Sequence, residues 1–498
     1  MTTQTTPRTH DAVIVGAGFG GMGAAIQLQR SGFSDLVILE REDDLGGTWH
    51  VNRYPGLAVD IPSPTYSYSF EPNPYWTRLF APGAELKAYA THVAEKYDLT
   101  EYMRFNQSVE SASWDEIAKR WTVRTSAGEE IHATFLVTAT GFLSQPKMPD
   151  IEGIESFEGK VIHTADWDDS YDLAGKRVAL IGTGATAVQL IPTIADRLRE
   201  FTVYQRTAIW VSPKMDTTIP GFAKALFAKL PLSQRAVRLG GTSILEVLMV
   251  AGVLHYGSIP AANKLGETLC RAHLRREVKD KELRRKLTPD YSFGCKRPTF
   301  SNTFYKTFAT GKARLETTPI ARVTRDRIVT TDGNKTEIDV LICATGFDLW
   351  ETNFPALRIT GRNGKDLGQT WRTDGFQSYE GIAMPGFPNF FSLNSPFSYS
   401  GLSYFTTVEA QMKHMARLLE AMDKKGAGSF EATEEATAEF MERMLNNLDD
   451  SVFRQGSCAT SRSYYFTKKG ETPLLRATST INAFREAGSF PLTDYAFA

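Results

Sequence analysis

Two glycine-rich loops in this chain are each followed, at the same distance, by a charge of opposite sign. The first loop, Gly16-x-Gly18-x-x-Gly21, follows the apolar run Ala12 to Val15 and leads into Met22 to Arg30, which reads as a helix. Such a loop suits a dinucleotide. Gly16 permits the tight turn, Gly18 lets a pyrophosphate approach the backbone, and Gly21 lets helix and strand pack closely. The phosphates then meet free N–H groups at the helix N-terminus. Glu40 ends the strand "LVILE" 22 residues after Gly18 (40 − 18), where an acid holds ribose hydroxyls. The second loop, Gly182-x-Gly184-x-x-Ala187, follows Val178 to Ile181, and Arg206 lies the same 22 residues after Gly184 (206 − 184). A carboxylate repels a 2′-phosphate, whereas a guanidinium binds it through paired, charge-assisted bonds. The first loop therefore reads as a site for FAD (or NAD) and the second as a site for NADPH. Together they read as a flavoprotein reduced by NADPH.

These loops need a large, folded frame. The chain has 498 residues, 42% hydrophobic and 23% charged, with a formal net charge of −1, which predicts a globular protein of two or three domains. The near-zero charge argues against a nucleic-acid surface. Cys270, Cys295, Cys343 and Cys458 are widely spaced and form no Cys-x-x-Cys pair, so neither a disulfide staple, a metal site nor a dithiol centre is expected, and a reducing cytoplasm is the default. The first ten residues lack the apolar core of a signal peptide. The most apolar run, Ser243 to Gly257, is too short to span a bilayer and carries Glu246; it reads as a buried helix, with a weak peripheral membrane contact as the other reading. A monomer or homodimer is expected.

An internal echo points to an interrupted arrangement. "FLVTATGF" (Phe135 to Phe142) and "VLICATGF" (Val340 to Phe347) are near-copies on either side of the second loop. They read as the exit from and the return to the first domain. The expected fold class is α/β, with two Rossmann-like dinucleotide-binding domains, the NADPH domain inserted in the FAD domain, and a mainly helical lobe. The expected boundaries are 1–142 for the first part of the FAD domain, 143–219 and 291–339 for the NADPH domain, 220–290 for the helical lobe, and 340–498 for the remainder. Thr406 to Met422 and "TEEATAEFMERML" have helical spacing.

Three further stretches carry a resemblance. "GGTWHVNRYPGLAVD" places Gly46, Gly47, Trp49, Tyr54, Pro55, Gly56 and Asp60 at fixed spacing, and "FEGKVIHTADWD" does the same for Phe157, Gly159, His163, Trp167 and Asp168. Both match, in order, the long and short fingerprints of the type I Baeyer–Villiger monooxygenases, relatives of the flavin-containing monooxygenases. "YSFGCKRPTF" supplies a third match through Lys296 and Arg297. The resemblance covers most of the chain and thins in the helical lobe and toward the C-terminus.

The resemblance implies an NADPH- and O2-dependent flavin enzyme that converts ketones to esters or lactones through a flavin C4a-peroxide. It implies Arg297 as the cation beside the flavin, Asp60 as its orienting partner, and Lys296 on the NADPH 2′-phosphate. Thr48, Trp49 and Tyr66 would touch the flavin, and the Val109 backbone the adenine end. Thr183, Ala185, Thr186, Gln189 and Thr207 would line NADPH. Phe157, Gly159, His163 and Trp167 read as a hinge at the domain seam, with proton transfer by His163 as the sharper alternative. Where the family often has Ser-Trp-Tyr near its end, this chain has Tyr464 in place of the Trp. The same cofactor cycle serves S- or N-oxygenation, and a non-oxygenating regulatory flavoprotein is the rival from another class. The aromatic stretch Ser395 to Phe405 reads as part of an apolar pocket of unspecified ketone preference.

Overall fold

A computed structural model describes residues 9–399, 401 and 403–498, with the backbone alone for Leu248 and Met249. Ser400 and Leu402, within the aromatic stretch, lie outside the described residues. The first sheet is centred on Thr9–Val15, which pairs in parallel with Leu36–Leu39 on one side and Glu130–Thr138 on the other. These apolar runs are buried almost throughout, because both faces are covered: alternate residues such as Ile14 and Val15 enter different cores. The helix Phe19–Arg30 lies against Tyr404–Lys425, and Gly23 permits the close contact: a Cβ there would lie 2.8 Å from Val408 Cγ1. Both helices expected in the C-terminal third are present, as Tyr404–Lys425 and Glu434–Leu448.

The second sheet has Arg177–Ile181 between Glu200–Tyr204 and Val340–Cys343, with Arg314–Glu316 and Lys160–His163 at its edges, all parallel. This corrects the expected boundary at 340. Val340–Cys343 is not the return strand to the first domain; it is an inner strand of the second sheet. The echo has another cause. Glu130–Thr138 lies beside the first strand of one nucleotide unit, and Val340–Cys343 beside that of the other. Each then turns its Ala carbonyl onto the first glycine of its loop. A Cβ on Gly16 would lie 2.6 Å from the Ala139 oxygen, and one on Gly182 would lie 2.4 Å from the Ala344 oxygen. The repeated Ala-Thr-Gly-Phe is thus the same packing solution used twice.

The expectation of no disulfide is also corrected. Cys295 and Cys458 are bonded, with Cα atoms 5.2 Å apart across a sequence separation of 163. Motif spacing carries no signal for such a pair, because the fold alone brings the two sulfurs together. The bond ties the residue before Lys296 and Arg297 to the C-terminal segment. Closing so long a loop in the unfolded chain predicts that Cys458→Ser lowers the free energy of unfolding by about 2–4 kcal/mol. Urea denaturation with and without reductant measures this; the variant should show no further loss on reduction.

Between the sheets and the C-terminal region lies the helical lobe, with Gly221–Lys229, Pro231–Leu245 and Pro260–Glu277. The run is helical from Ser243 to Leu254, with a π-helical turn at Glu246–Ala251, ends in a turn at His255 to Gly257, and is only half buried. Val250, Val253 and Leu254 enter the core, whereas Ile244 and Val247 face solvent. Among the described residues no helix is long and apolar enough to cross a membrane.

Candidate active site

Both nucleotide loops open onto one cavity of about 1270 Å³. That exceeds a typical small-molecule pocket and leaves room for more than one large ligand. Gly16 and Gly182 adopt φ of +107° and +112°, conformations that only glycine takes without strain. Gly18 and Gly184 present bare backbone to the cavity: a Cβ on Gly184 would meet nothing within 4 Å. Gly21 does not line the cavity. Its role is packing, since a Cβ there would lie 1.9 Å from the Gly16 oxygen. Glu40 is buried at the cavity wall, where one carboxylate oxygen accepts from Ala17 N–H at 2.7 Å and the other from Glu42 N–H at 3.1 Å.

The long fingerprint crosses the space between the two units. Gly47 lies against Gly18 and starts the short helix Thr48–Val51, so Thr48 and Trp49 face the cavity. Trp49 Nε1 donates to Tyr66 Oη at 3.3 Å, which fixes both rings at the wall. Tyr54 and Gly56 turn the other way, onto the helix Ala185–Ile194. Tyr54 Oη donates to Gln189 Oε1 at 3.0 Å, and a Cβ on Gly56 would lie 2.5 Å from Thr193 Oγ1. Gln189 therefore does not line the cavity, contrary to expectation. Its Nε2 donates to the Ala58 carbonyl at 2.9 Å, so it stitches the fingerprint loop to the second unit.

Asp60 is where the fingerprint meets Arg297. The guanidinium donates to the carboxylate twice, Nε to Oδ2 at 2.8 Å and Nη2 to Oδ1 at 3.3 Å, and Nη1 donates to Tyr399 Oη at 2.9 Å. Burial disfavours the Arg297 charge, but Asp60, and after it Tyr399, outweighs that, and the group is held well above its ordinary value. The cation is permanent and aimed. Tyr399 was noted in the sequence only as one aromatic among several; no spacing marks its hydroxyl as a partner of Arg297.

A second group of cations gathers elsewhere on the wall. Arg206, Lys296 and Arg462 line the cavity. Arg462 repels Arg206, and Arg206 in turn repels Lys296. Among the described residues none of the three has a carboxylate within 4 Å. Mutually repelling cations held together without an acid favour a dense anion. Arg462 escaped sequence reasoning because it comes from the C-terminal segment, next to Tyr464. Its backbone φ of +46° is uncommon for arginine. Thr183, Ala185, Thr186 and Thr207 also line this side, and Thr183 Oγ1 donates to the Thr207 carbonyl at 3.0 Å. Val109 also lines the cavity, two residues after Gln107, whose N–H donates to the Glu40 carbonyl at 2.8 Å.

The short fingerprint stands apart from the cavity. Phe157 packs in a core with Tyr204 and Leu341, and a Cβ on Gly159 would lie 2.4 Å from the Asp339 oxygen. Trp167 is buried in the same core as Tyr54 and Leu190. His163 ends the edge strand Lys160–His163, beneath the two crossing connections that pair at Pro146 and Phe347. Its Nδ1 accepts from Ala165 N–H at 3.1 Å. Burial lowers its pKa, against the raising effect of the Lys147 and Gly346 backbones. Asp168 is paired with Lys160 at 2.7 Å, which with Ser170 holds its carboxyl down to about 2.

These features fit two dinucleotides. Bare glycine backbone, a buried acid at the wall of the first unit and a cation cluster without a carboxylate on the second are what FAD and NADPH require. A family model described as pyridine nucleotide-disulphide oxidoreductase matches residues 13–223. Neither Cys295 nor Cys458 lines the cavity, so the shared part is the nucleotide-binding frame. A Baeyer–Villiger monooxygenase of Streptomyces coelicolor is 37% identical over 487 residues, covering 97% of this chain and 91% of that protein. Another, from Pseudomonas aeruginosa, is 38% identical and covers 93% of this chain and 87% of its own. An oxidised steroid monooxygenase bound to NADP superposes with a TM-score of 0.87 at 30% identity, covering 98% of this chain and 99% of that one.

Proposed function

Because this chain belongs to the Baeyer–Villiger monooxygenase family, we propose that it is a type I member in which Arg297 serves the reacting centre and Asp60 orients it. The protein is an FAD-dependent monooxygenase that uses NADPH and O2 to convert ketones into esters or lactones. When bound, FAD takes hydride from NADPH and activates dioxygen. Gly16, Gly18, Glu40, Gly47, Thr48, Trp49, Tyr66 and Val109 would hold it. Gly182, Gly184, Ala185, Thr186, Arg206, Thr207 and Lys296 would hold NADPH, with Arg462 as an added phosphate ligand.

The observation that carries this reading is the half-buried, two-point Arg297–Asp60 pair at the cavity wall. As a carbonyl is attacked, negative charge develops on oxygen, and a preoriented guanidinium stabilises that charge without reorganising. Asp60 fixes the plane of the permanently charged guanidinium, while Tyr399 fixes its third nitrogen. Phe157, Gly159, His163 and Trp167 act as a hinge that lets the second unit shift over the site. The reading is tested with the FAD-loaded protein, NADPH, a ketone panel and ¹⁸O2. One labelled oxygen should appear in the ester or lactone; NADPH consumed only to hydrogen peroxide with every ketone overturns it. We place the enzyme in the cytoplasm; trapping thiols at the moment of lysis checks this, since a reducing compartment disfavours the Cys295–Cys458 bond.

Two outcomes follow for the phosphate cluster. Arg206→Ala should raise KM for NADPH by about 10- to 100-fold, the range for a lost charge-assisted bond, and leave KM for NADH nearly unchanged. Equal effects on both would refute the 2′-phosphate role. Burial, and then Arg206, brings the Lys296 ammonium down to about 8. The charged form binds phosphate, so KM for NADPH should be flat below that pH and rise above it. Binding should also be accompanied by proton uptake near pH 8, because the phosphate raises the depressed value. Lys296→Met should remove the pH dependence, and NADH should never show it.

A further inference from the structure

The helical lobe carries a helix mounted the wrong way round for a soluble protein. In Pro231–Leu245 the face toward the first domain is polar: Gln234 is buried with its Nε2 donating to the Asn73 carbonyl at 2.7 Å, and Arg238 Nη1 donates to the Ser67 carbonyl. Gly241 completes that face, where a Cβ would lie 3.1 Å from Thr65 Oγ1. The opposite face is apolar and open. Leu232 is 65% exposed, Leu239 69% and Ile244 62%, and Val247, in the π-helical turn that follows, is 62% exposed. The preceding helix, Gly221–Lys229, adds Phe222 at 77% and Leu226 at 46%, one turn apart. Water-facing helices normally show the reverse pattern, so an outward apolar stripe of this kind marks a surface that is covered in use.

The charges on this stripe say what covers it. Between Asp216 and Glu246 the chain has no acidic residue, while Lys224, Lys229, Arg235 and Arg238 are all cationic. Arg238 is engaged inward. Among the described residues Lys224, Lys229 and Arg235 have no carboxylate within 4 Å. A second copy of the chain, docked about a two-fold axis, would bring these cations face to face with nothing to neutralise them. A lipid bilayer with anionic headgroups complements both features, since apolar side chains enter the acyl boundary while the lysines and arginine meet the headgroups.

We propose that Gly221–Lys229 and the outer face of Pro231–Leu245 form a peripheral docking surface for an anionic lipid bilayer. The proposal goes beyond the enzymatic reading and does not rest on it. The docked face lies one helix away from the Pro62–Ser67 segment that carries Tyr66, so a membrane-dissolved substrate would be presented close to the cavity.

The test is co-sedimentation of the FAD-loaded full chain with phosphatidylcholine vesicles, with and without about one third phosphatidylglycerol. Binding should be about tenfold or more stronger with the anionic lipid and should fall as salt rises from ~0.1 to ~0.5 M. Leu232→Glu/Leu239→Glu should weaken it about tenfold or more, and Lys229→Gln/Arg235→Gln should abolish the preference for anionic lipid. Turnover of a water-soluble ketone should be unchanged in both variants. If the glutamate variant loses its flavin, the glutamine pair decides the question. The proposal is overturned by an absence of vesicle-dependent pelleting, by equal binding to the two vesicle types, or by variants that bind like the parent. A concentration-dependent dimer in the ultracentrifuge, dissolved by Leu239→Glu in a protein that ignores vesicles, overturns it in favour of a contact between copies.

Discussion

Replacing Arg297 with alanine should lower the rate of ester formation by about 10²–10³-fold while leaving reduction of the flavin by NADPH nearly intact. The size follows from the loss of one preoriented charge stabiliser, worth about 3–4 kcal/mol of barrier. The selectivity follows from position. Arg297 is bonded to Asp60 and Tyr399, and neither interaction belongs to the cation cluster of Arg206, Lys296 and Arg462. NADPH oxidation should therefore continue and end in hydrogen peroxide. Stopped-flow reduction without oxygen, followed by product analysis in air, separates the two steps. Full ester formation by the variant would remove Arg297 from the chemistry. Asp60→Asn should be milder than Arg297→Ala, because the guanidinium stays charged and keeps its bond to Tyr399 while losing its principal partner.

The second large effect concerns the turn glycines, which the structure makes separable. Gly16→Ala and Gly182→Ala each place a Cβ on a backbone with φ above +100° and within 2.6 Å of a carbonyl oxygen, that of Ala139 or Ala344. The conformational strain alone is about 1–3 kcal/mol, and the carbonyl contact adds to it. Each loop should open and lose its ligand by about 10- to 100-fold. The consequences differ by unit. Gly16→Ala should purify largely without flavin. Gly182→Ala should keep its yellow colour and show a raised KM for NADPH. Flavin content by absorbance and NADPH titration of the holoprotein measure the two. Loss of flavin from Gly182→Ala, with full retention by Gly16→Ala, would invert the assignment of the loops.

The boundary near residue 340 shows what the chain could and could not reveal. "VLICATGF" was legible as a buried strand and as a copy of "FLVTATGF", because a run of apolar residues closed by a glycine turn is a local signal. Which sheet it joins was not legible, since two sheets of the same construction offer it equivalent neighbours. Its partners turned out to be Arg177–Ile181 and Lys160–His163. The same limit applies to Gln189. Its position on the second helix was plain, but rotation about that helix decides whether it meets a nucleotide or the fingerprint loop, and Tyr54 and Ala58 take it.

By itself the sequence determined the two glycine-rich nucleotide units and the opposite charges that follow them, while its residues for oxygen chemistry were read only through the family resemblance. Those features are written in glycine spacing, strand ends and short motifs, where cause and effect lie within some twenty residues. Only the tertiary structure decided that Arg297 finds Tyr399 across a separation of 102, that Arg462 joins Arg206 and Lys296 in one group of cations, and that Cys295 meets Cys458 across 163. Contacts of that range depend on how whole layers pack. The energy that selects them is summed over the entire core, so no short stretch of residues records it.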